Sequence, residues 1–511
     1  MRNALVLIVV ILLAGCTVGP DYHRPNLDLP KSALDSTLLS KHQQKSLAYW
    51  WTRYKNPTLN KLIDQALDSN LNIALQAQKV RQARAALGYQ NAQLYPSISG
   101  QAKGMRERVG DSAASSSGAG STSSSSGGGS HGFNYFSVAG SLSYELDLWG
   151  ALRRSDQQAR AQLLSSAYTQ DSIRLQTVAD VVTNYMSLRS YQRQIRVTRK
   201  TIKTREQALS LDKKRYQYGA IDKLTLLQTR SSLQSARAQL PPLEQQEAKL
   251  RTSLAILTGK TPRQIMAATK LPKGNFSDIT LPKGLPAVLP STLVNRRPDV
   301  RAAEASLIAA NANVGVAKAR FFPTFNLSAM IGTQAFKVDN LFEPYTKVEQ
   351  AGGSITAPIL DFGRINAQYR SAKAQKAEAE IQYRQTVRQA FQDVRNALDE
   401  VKYTRERLKQ VRQEVDSYRQ TLKLAKLRYH VGRTNYFDVL NAQRNLLSSQ
   451  LNLAQAIASR FTATADLYKA LGGGWTDDSD SLTPAMQQVA NHYAPGKGGK
   501  DGADAAASQN P

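Results

Sequence analysis

The chain has a single thiol, carried by Cys16 at the end of the run Leu13-Ala14-Gly15-Cys16. A thiolate is a strong nucleophile, and a lone cysteine has no partner for an internal disulfide. Other reactive side chains are present but not gathered. His23, His42, His131, His430 and His492 are scattered, and none stands at metal-ligand spacing from another. No Gly-rich phosphate loop follows a strand, and no nucleophile motif occurs. The residues therefore offer no catalytic constellation, no metal site and no cofactor site. Three acids remain of interest: Glu145 and Asp147 at the end of an alternating segment, and Asp438 just past a glycine turn.

The surroundings of Cys16 give its thiol a use. Met1-Arg2 is a short positive start, and Ala4 to Leu13 is apolar but too short to span a bilayer as a mature helix. This reads as an export signal covering residues 1–15. Leu-Ala-Gly-Cys resembles the bacterial lipobox, in which the cysteine accepts a diacylglycerol and becomes an acylated amino terminus. The competing reading is an ordinary secretory signal with an incidental cysteine. Thr17, rather than Asp, follows the cysteine, which in that lipoprotein class implies sorting to the outer membrane. Several acyl chains together give stable anchoring.

The elements that position these residues have an unusual composition. The 511 residues carry 7% aromatics and a formal net charge of +28 from 67 basic and 39 acidic side chains. Charges spread along periodic segments suit long helices with one wet side. Such a balance invites a nucleic-acid reading. The export signal and the lack of a nucleic-acid motif argue against it, leaving a charged helical surface or attraction of anionic cargo.

The chain is one unit written twice. Arg215-Tyr216-Gln217-Tyr218-Gly219 recurs as Arg428-Tyr429-His430-Val431-Gly432, an offset of 213 residues that also maps Leu227 on Leu440, Leu233 on Leu446, Gly259 on Gly472 and Trp149-Gly150 on Phe362-Gly363. Upstream, Leu94-Tyr95-Pro96 matches Phe321-Phe322-Pro323, and Gly88 matches Gly315. The first repeat is expected over 57–259 and the second over 298–472, each with a lead-in helix, a strand pair, a very long helix, a Gly turn and a shorter return helix. Lead-in helices are predicted over about 57–94 and 298–321, and strand pairs over about 95–148 and 323–360. Segments 16–56, 260–297 and 473–511 remain as anchor, linker and tail, the last ending in a Gly/Ala/Ser/Asp-rich stretch expected to lack fixed structure.

Val138, Gly140, Leu142, Tyr144, Leu146 and Leu148 alternate with Ser137, Ala139, Ser141, Ser143, Glu145 and Asp147. Phe325, Leu327, Ala329 and Ile331 alternate likewise with Thr324, Asn326, Ser328 and Met330, and Ile355, Ala357 and Ile359 continue the habit. Period-two alternation suits membrane strands with lipid outside and water inside, and equally a soluble sandwich. Tyr95, Tyr135, Phe136, Trp149, Phe321, Phe322 and Phe362 cluster near the strand ends, where interfacial girdles form. A flexible Ser/Gly tract, Ser112 to Ser130, separates the first two strands.

The long helices carry heptads. Val387, Phe391, Val394, Leu398 and Val401 step by four and three, and Leu408, Val415, Tyr418, Leu422 and Ala425 continue with Arg405 and Arg412 as interruptions. Val178, Val181, Tyr185, Leu188, Ile195 and Ile202 behave alike in the first repeat. From Gly363 to His430 such a helix is roughly 100 Å long, suited to bridging a wide aqueous gap. Four strands cannot close a barrel alone, and an open sheet in lipid leaves costly unpaired edges. Three copies would supply twelve strands and a water-filled interior.

With these features in place, the chain resembles the TolC family of outer-membrane efflux proteins, in particular the OprM/NodT-like lipoprotein outer-membrane factors of resistance-nodulation-division (RND) tripartite systems. The resemblance covers roughly 16–475 and rests on Cys16-Thr17-Val18-Gly19-Pro20-Asp21-Tyr22 with Arg24-Pro25, Tyr144-Glu145-Leu146-Asp147-Leu148-Trp149-Gly150, Arg296-Arg297-Pro298-Asp299-Val300, Phe322-Pro323, Asp361-Phe362-Gly363-Arg364 and the two Tyr-x-x-Gly tips. It implies a mainly α fold with membrane β: a homotrimer whose protomers each give four strands to a 12-stranded β-barrel, above a long coiled-coil α-barrel with a mixed equatorial domain. It further implies a periplasmic membrane-fusion adaptor and an inner-membrane RND-type pump as partners, outer-membrane lipid around the strands, no nucleic acid and no enzymatic activity. The expected function is the exit duct of a tripartite efflux pump for drugs or other small toxic solutes. A type I protein-secretion duct and a non-conducting coiled-coil lipoprotein are the alternatives.

By the same resemblance, Tyr216, Gly219, Tyr429 and Gly432 shape tips that dock the adaptor, besides ending helices. Phe437 matches a hydrophobic constriction, and Asp438 an acid of the closed periplasmic gate. Asn441 and Thr225 stand where the family commonly carries acids, so the aperture is less acidic. A helix-capping role for Asp438 remains open. Glu145 and Asp147 are candidates to line the pore or to form salt bridges.

Overall fold

The computed structural model describes residues 17–27, 47–109, 131–267, 274–282 and 294–474. Cys16, the signal at 1–15, the Ser/Gly tract at 112–130 and the tail beyond 474 lie outside the described residues. The helices are α1 (Pro57–Ser69), α2 (Leu71–Ala92), α3 (Ala151–Gln217), α4 (Lys223–Ala238), α5 (Leu240–Leu257), α6 (Pro262–Met266), α7 (Pro298–Ala319), α8 (Arg364–His430) and α9 (Tyr436–Ala470). The strands are β1 (Ser97–Val109), β2 (His131–Leu146), β3 (Thr324–Ala335) and β4 (Lys347–Thr356). Both long helices have 67 residues, α3 in the first repeat and α8 in the second. Among the described residues, no helix is long and apolar enough to cross a membrane.

Local chemistry explains where the helices break. The lead-in helix of the first repeat is two helices, because Asn70 is extended and its side chain accepts the N–H of Asn72 at 2.9 Å. The return helix of the first repeat divides at Gln239, ahead of Pro241 and Pro242, which cannot donate to a helical ladder. The second repeat has no proline there, and α9 runs unbroken for 35 residues.

Two compact units make up the chain. The first comprises Met1–Arg24, Ala83–Leu163 and Ser306–Glu380 and holds the strands. They form one antiparallel sheet in the order β1-β2-β3-β4, with Ile98 opposite Leu142, Leu142 opposite Ala329 and Ala329 opposite Ala351. A smaller apolar cluster of Val314, Ala317, Ala372 and Tyr369 packs α7 against α8 in this unit.

The second unit comprises Pro25–Gln82, Leu164–Ala305 and Ile381–Pro511. Its core gathers Trp50, Tyr54, Leu59, Ile63, Val178, Val181, Tyr185, Leu188, Phe461 and Tyr468, all buried. Trp50 stacks on Tyr468 at 5.2 Å between ring centroids, and the Tyr54 hydroxyl donates to the Phe461 carbonyl at 2.9 Å. Asn56 caps α1 by accepting the Leu59 N–H at 2.9 Å, while its Oδ1 also accepts the Tyr185 hydroxyl at 3.0 Å. Each fully buried large side chain contributes about 1.5–3 kcal/mol.

Most of the expected heptad of α8 is shielded, and the difference lies in a few alternate positions. Val387, Phe391, Val394, Val401, Leu408, Val415, Tyr418, Leu422 and Ala425 are buried or half-buried as expected, and Tyr383, Ala390, Ala397, Thr404 and Val411 are shielded with them. Ala390 and Ala397 are 0% and 5% exposed, whereas Leu398 is 47% exposed. Phe391 is half-buried, whereas Leu398, Arg405 and Arg412 are exposed, so at those three turns the seam falls on the residue before. Small alanines let helix backbones approach closely, and this packing overrides the preference for the larger side chains. In α3, Val178, Val181, Tyr185, Leu188 and Ile195 are buried as expected, but polar Thr198, Arg205 and Asp212 continue the stripe.

Candidate functional site

The sheet has no core on either face: of its described strand side chains only Ala335 is buried. Its register sorts the side chains cleanly. One face carries Ile98, Val138, Leu142, Phe325, Leu327, Ile331 and Ile355, and the other Ser99, Ser141, Ser143, Asn326, Ser328 and Ser354. Ile98 is 80% exposed and Ile355 67%. Among described side chains, charges on the apolar face occur only toward the hairpin loops, as Arg106 and the Lys347–Glu349 ion pair. An exposed apolar face backed by a polar one fits lipid on one side and water on the other. Among the described residues, the outer edges of β1 and β4 have no partner strand.

Glu145 lies on the polar face, exposed and opposite Asn326. Asp147 does not: β2 ends at Leu146. The Asp147 carboxylate accepts the N–H groups of Leu152 and Arg153 at 3.1 and 2.9 Å and pairs with the Arg153 guanidinium at 3.2 Å. It caps α3, and the salt-bridge reading describes it. Asp361 does the same for α8, accepting from Gly363 at 3.0 Å and Ile365 at 2.8 Å, bonds that hold its carboxyl below the usual range.

The residues that follow Cys16 are fixed at the base of this sheet. Val18 donates to the Trp149 carbonyl at 3.0 Å, Thr17 packs on Gly150, and Asp21 pairs with Arg154 at 2.8 Å. Gly19 sits against Gly315, where any side chain on Gly19 would meet backbone at 2.6 Å. Trp149 donates to the Pro323 carbonyl at 2.7 Å and stacks on Phe322 at 4.6 Å. The segment after the lipidation candidate is thus held beside the strand ends.

The two tips repeat bond for bond. Gly219 and Gly432 have φ of +71° and +72°. Gly219 donates to Tyr216 and Ala220 to Arg215, at 3.0 and 2.8 Å; Gly432 donates to Tyr429 and Arg433 to Arg428, at 3.1 and 2.8 Å. The returning helices are capped by Asp222, which accepts the Thr225 N–H at 2.9 Å, and by Asn435, which accepts the Asp438 N–H at 3.2 Å. Asp438, in the first turn of α9, accepts the Thr434 hydroxyl, while the cap itself is Asn435. Phe437 is 51% exposed, and Tyr216, Tyr218, Leu224 and Val431 are exposed beside the turns. Thr225 and Asn441 are half-buried.

What joins the tips was not anticipated. Thr229 on α4 donates to buried Asp212 on α3 at 2.8 Å, and Tyr436 on α9 lies close to both side chains. Tyr436 packs on Tyr429 at 5.1 Å, and burial, then the Asp212 charge, push its phenol pKa up. The Asp222 and Asn435 caps were also missed. A cap residue three places before Thr225 and Asp438, just after a glycine turn, is a readable signal.

Among the described residues, no cluster of His, Cys, Asp or Glu could hold a metal ion. A sequence profile of outer membrane efflux proteins matches residues 62–260 and 289–473. The chain belongs to the outer membrane efflux protein family. It is 30% identical over 480 residues to the solvent efflux pump outer membrane protein SrpC of Pseudomonas putida, covering 93% of this chain and 98% of that one. Among solved structures, it resembles the outer-membrane channel OprN with a TM-score of 0.80 at 27% identity, covering 90% of this chain and all of that one. The CmeC outer membrane channel of Campylobacter jejuni gives 0.81 at 25% identity, covering 93% and 99%. The fold of this outer membrane efflux protein is TolC-like, and its alternating strands are those of a membrane sheet rather than a sandwich. It is an outer-membrane component of an efflux pump, extending into the periplasm and serving as an exit duct.

Proposed function

We propose that three copies close their sheets edge to edge into a twelve-stranded barrel and conduct small toxic solutes, solvents and drugs among them, passively from periplasm to exterior. The observation that carries this is the four-stranded sheet with an exposed apolar face and unpaired β1 and β4 edges. Each unpaired backbone group in lipid costs several kcal/mol, so the edges must find partners, and a second and third copy supply them. Diacylated Cys16 anchors the chain where Thr17–Asp21 meet the strand ends. Tyr216, Gly219, Tyr429 and Gly432 present the tips to a periplasmic adaptor of an inner-membrane RND-type pump. Phe437, Asp438, Asn441 and Thr225 border the gate, and Glu145 lines the water-filled side of the barrel.

Single-channel recording in planar bilayers, paired with electron-microscopy projections of the detergent-solubilised protein, tests this. Threefold particles with stepwise conductance are expected. Monomeric particles without conductance would overturn it.

A further inference from the structure

A cavity of about 410 Å³ opens between α3, α8 and α9. It is lined by apolar Val415, Leu446 and Leu447 and by the cations Arg193, Lys200, Arg205, Arg419 and Lys426, of which Arg205 is buried. Of these cations, Arg419 has Asp416 as an ion-pair partner at 2.5 Å. None of the described lining residues is a carboxylate.

Arg205 sets this cavity apart from an ordinary basic surface. It is 5% exposed and donates one guanidinium N–H to the Ser232 carbonyl at 2.5 Å, yet its buried Nε has no hydrogen-bond partner among the described residues. A buried donor without an acceptor is costly. Burial holds the Arg205 guanidinium below its ordinary pKa. Arg193 is lowered by burial and then by Arg196 and Arg412, cations crowding it. Two partly desolvated arginines, Arg193 and Arg205, the second with an unmatched Nε–H, beside apolar lining favour a ligand that brings negative charge and an apolar body together. The volume falls in the range of small-molecule sites.

We propose that this cavity binds an amphipathic organic anion, a carboxylate, sulfonate or phosphate ester with an aromatic or alkyl body. The anionic group meets Arg193, Lys200 and Arg205, and the body lies over Leu446 and Leu447. The cavity is formed within one chain and involves neither the tips nor the strands.

The test is calorimetric titration of the full chain in lipid nanodiscs with 1-naphthalenesulfonate. Saturable binding is expected, with the neutral 1-naphthalenemethanol about tenfold weaker. The double variant Arg193→Gln, Lys200→Gln is expected to lose about tenfold in affinity while keeping its helical circular dichroism. Should that variant lose its helices, Lys426→Gln on another wall is expected to weaken binding in the same direction. Absence of saturable binding, equal affinity for the neutral compound, or unchanged affinity in a folded variant would each overturn the site.

Discussion

The hydroxyl of Thr229 donates to the carboxylate of Asp212 across 2.8 Å, while the positions 213 residues on are Ala442 and Ala425. The two repeats thus solve one packing position differently. The first uses a buried polar pair, with Asp212 4% and Thr229 2% exposed, and the second uses two small apolar residues.

This difference predicts strong coupling. Thr229→Ala removes the hydroxyl donor to the Asp212 carboxylate, leaving it the long 4.0 Å ion pair with Arg215, and is expected to cost about 1 kcal/mol. Adding Asp212→Ala, which copies the second repeat, should restore part of that loss. A double-mutant cycle by thermal or denaturant unfolding measures the coupling. Additive effects would show that the pair is not a unit.

At Gly432, φ of +72° rather than crowding limits substitution, since an added Cβ would meet nothing within 4 Å. Gly432→Asn is therefore expected to preserve export, because Asn tolerates the left-handed region. Gly432→Val should cost about 1–2 kcal/mol locally and impair export. Drug-susceptibility assays at matched protein levels check the ranking; equal behaviour of Asn and Val would remove the turn from adaptor docking.

Asp438→Asn separates gate from cap. The Asn435 cap bonds the backbone N–H of residue 438, and an amide oxygen can still accept from Thr434. Stability should change little, whereas loss of charge around a narrow aperture should raise single-channel conductance and shift ion selectivity. Unaltered conductance and selectivity would leave Asp438 a first-turn acid of α9 only.

Asp466 is half-buried, and its carboxyl is raised above the ordinary 3.8 by burial first, then by Glu400 and Asp180, against the pull of Lys469. The folded state therefore holds its proton more tightly than the unfolded chain. Stability from this group is full below the unfolded value and falls as pH rises through the raised value. At neutral pH the charge is a net cost, so Asp466→Asn should raise the melting temperature at pH 7 and flatten its acid dependence. Melting curves from pH 4 to pH 7 test this; a lower melting temperature at pH 7 would mean the carboxylate is favourably held.

For Cys16→Ser, acyl labelling should vanish while the fold survives, because the contacts at the sheet base begin with Thr17. Intact-protein mass spectrometry reads the lipid directly, and an unchanged acyl mass would exclude Cys16 as the acceptor.

Much of the architecture was legible because it is periodic. The duplication, the alternating strands and both 67-residue helices leave repeating signals, and Tyr216, Gly219, Tyr429 and Gly432 stand at turns that match bond for bond. What was misread involves residues whose type hides their place. Ala397 occupies the seam while the bulkier Leu398, one residue past it, is exposed. Arg205 and Asp212 fill helix-packing positions that a hydrophobic pattern passes over. Asp147 continues the alternation of β2 but sits just past its end, where the first N–H groups of α3 require an acceptor. The cavity beside Arg205 depends on residues more than 200 positions apart, a distance no local pattern spans.

The hydrogen bonds between β2 and β3 join the first repeat to the second by an ordinary antiparallel contact, the same kind that the proposed barrel asks of β4 and another copy's β1. Nothing in that junction requires the two halves to share one polypeptide. A half-length ancestor with one hairpin could have built the same ring from twice as many molecules. The two halves differ at equivalent positions, with Asp212 and Thr229 in the first where Ala425 and Ala442 stand in the second.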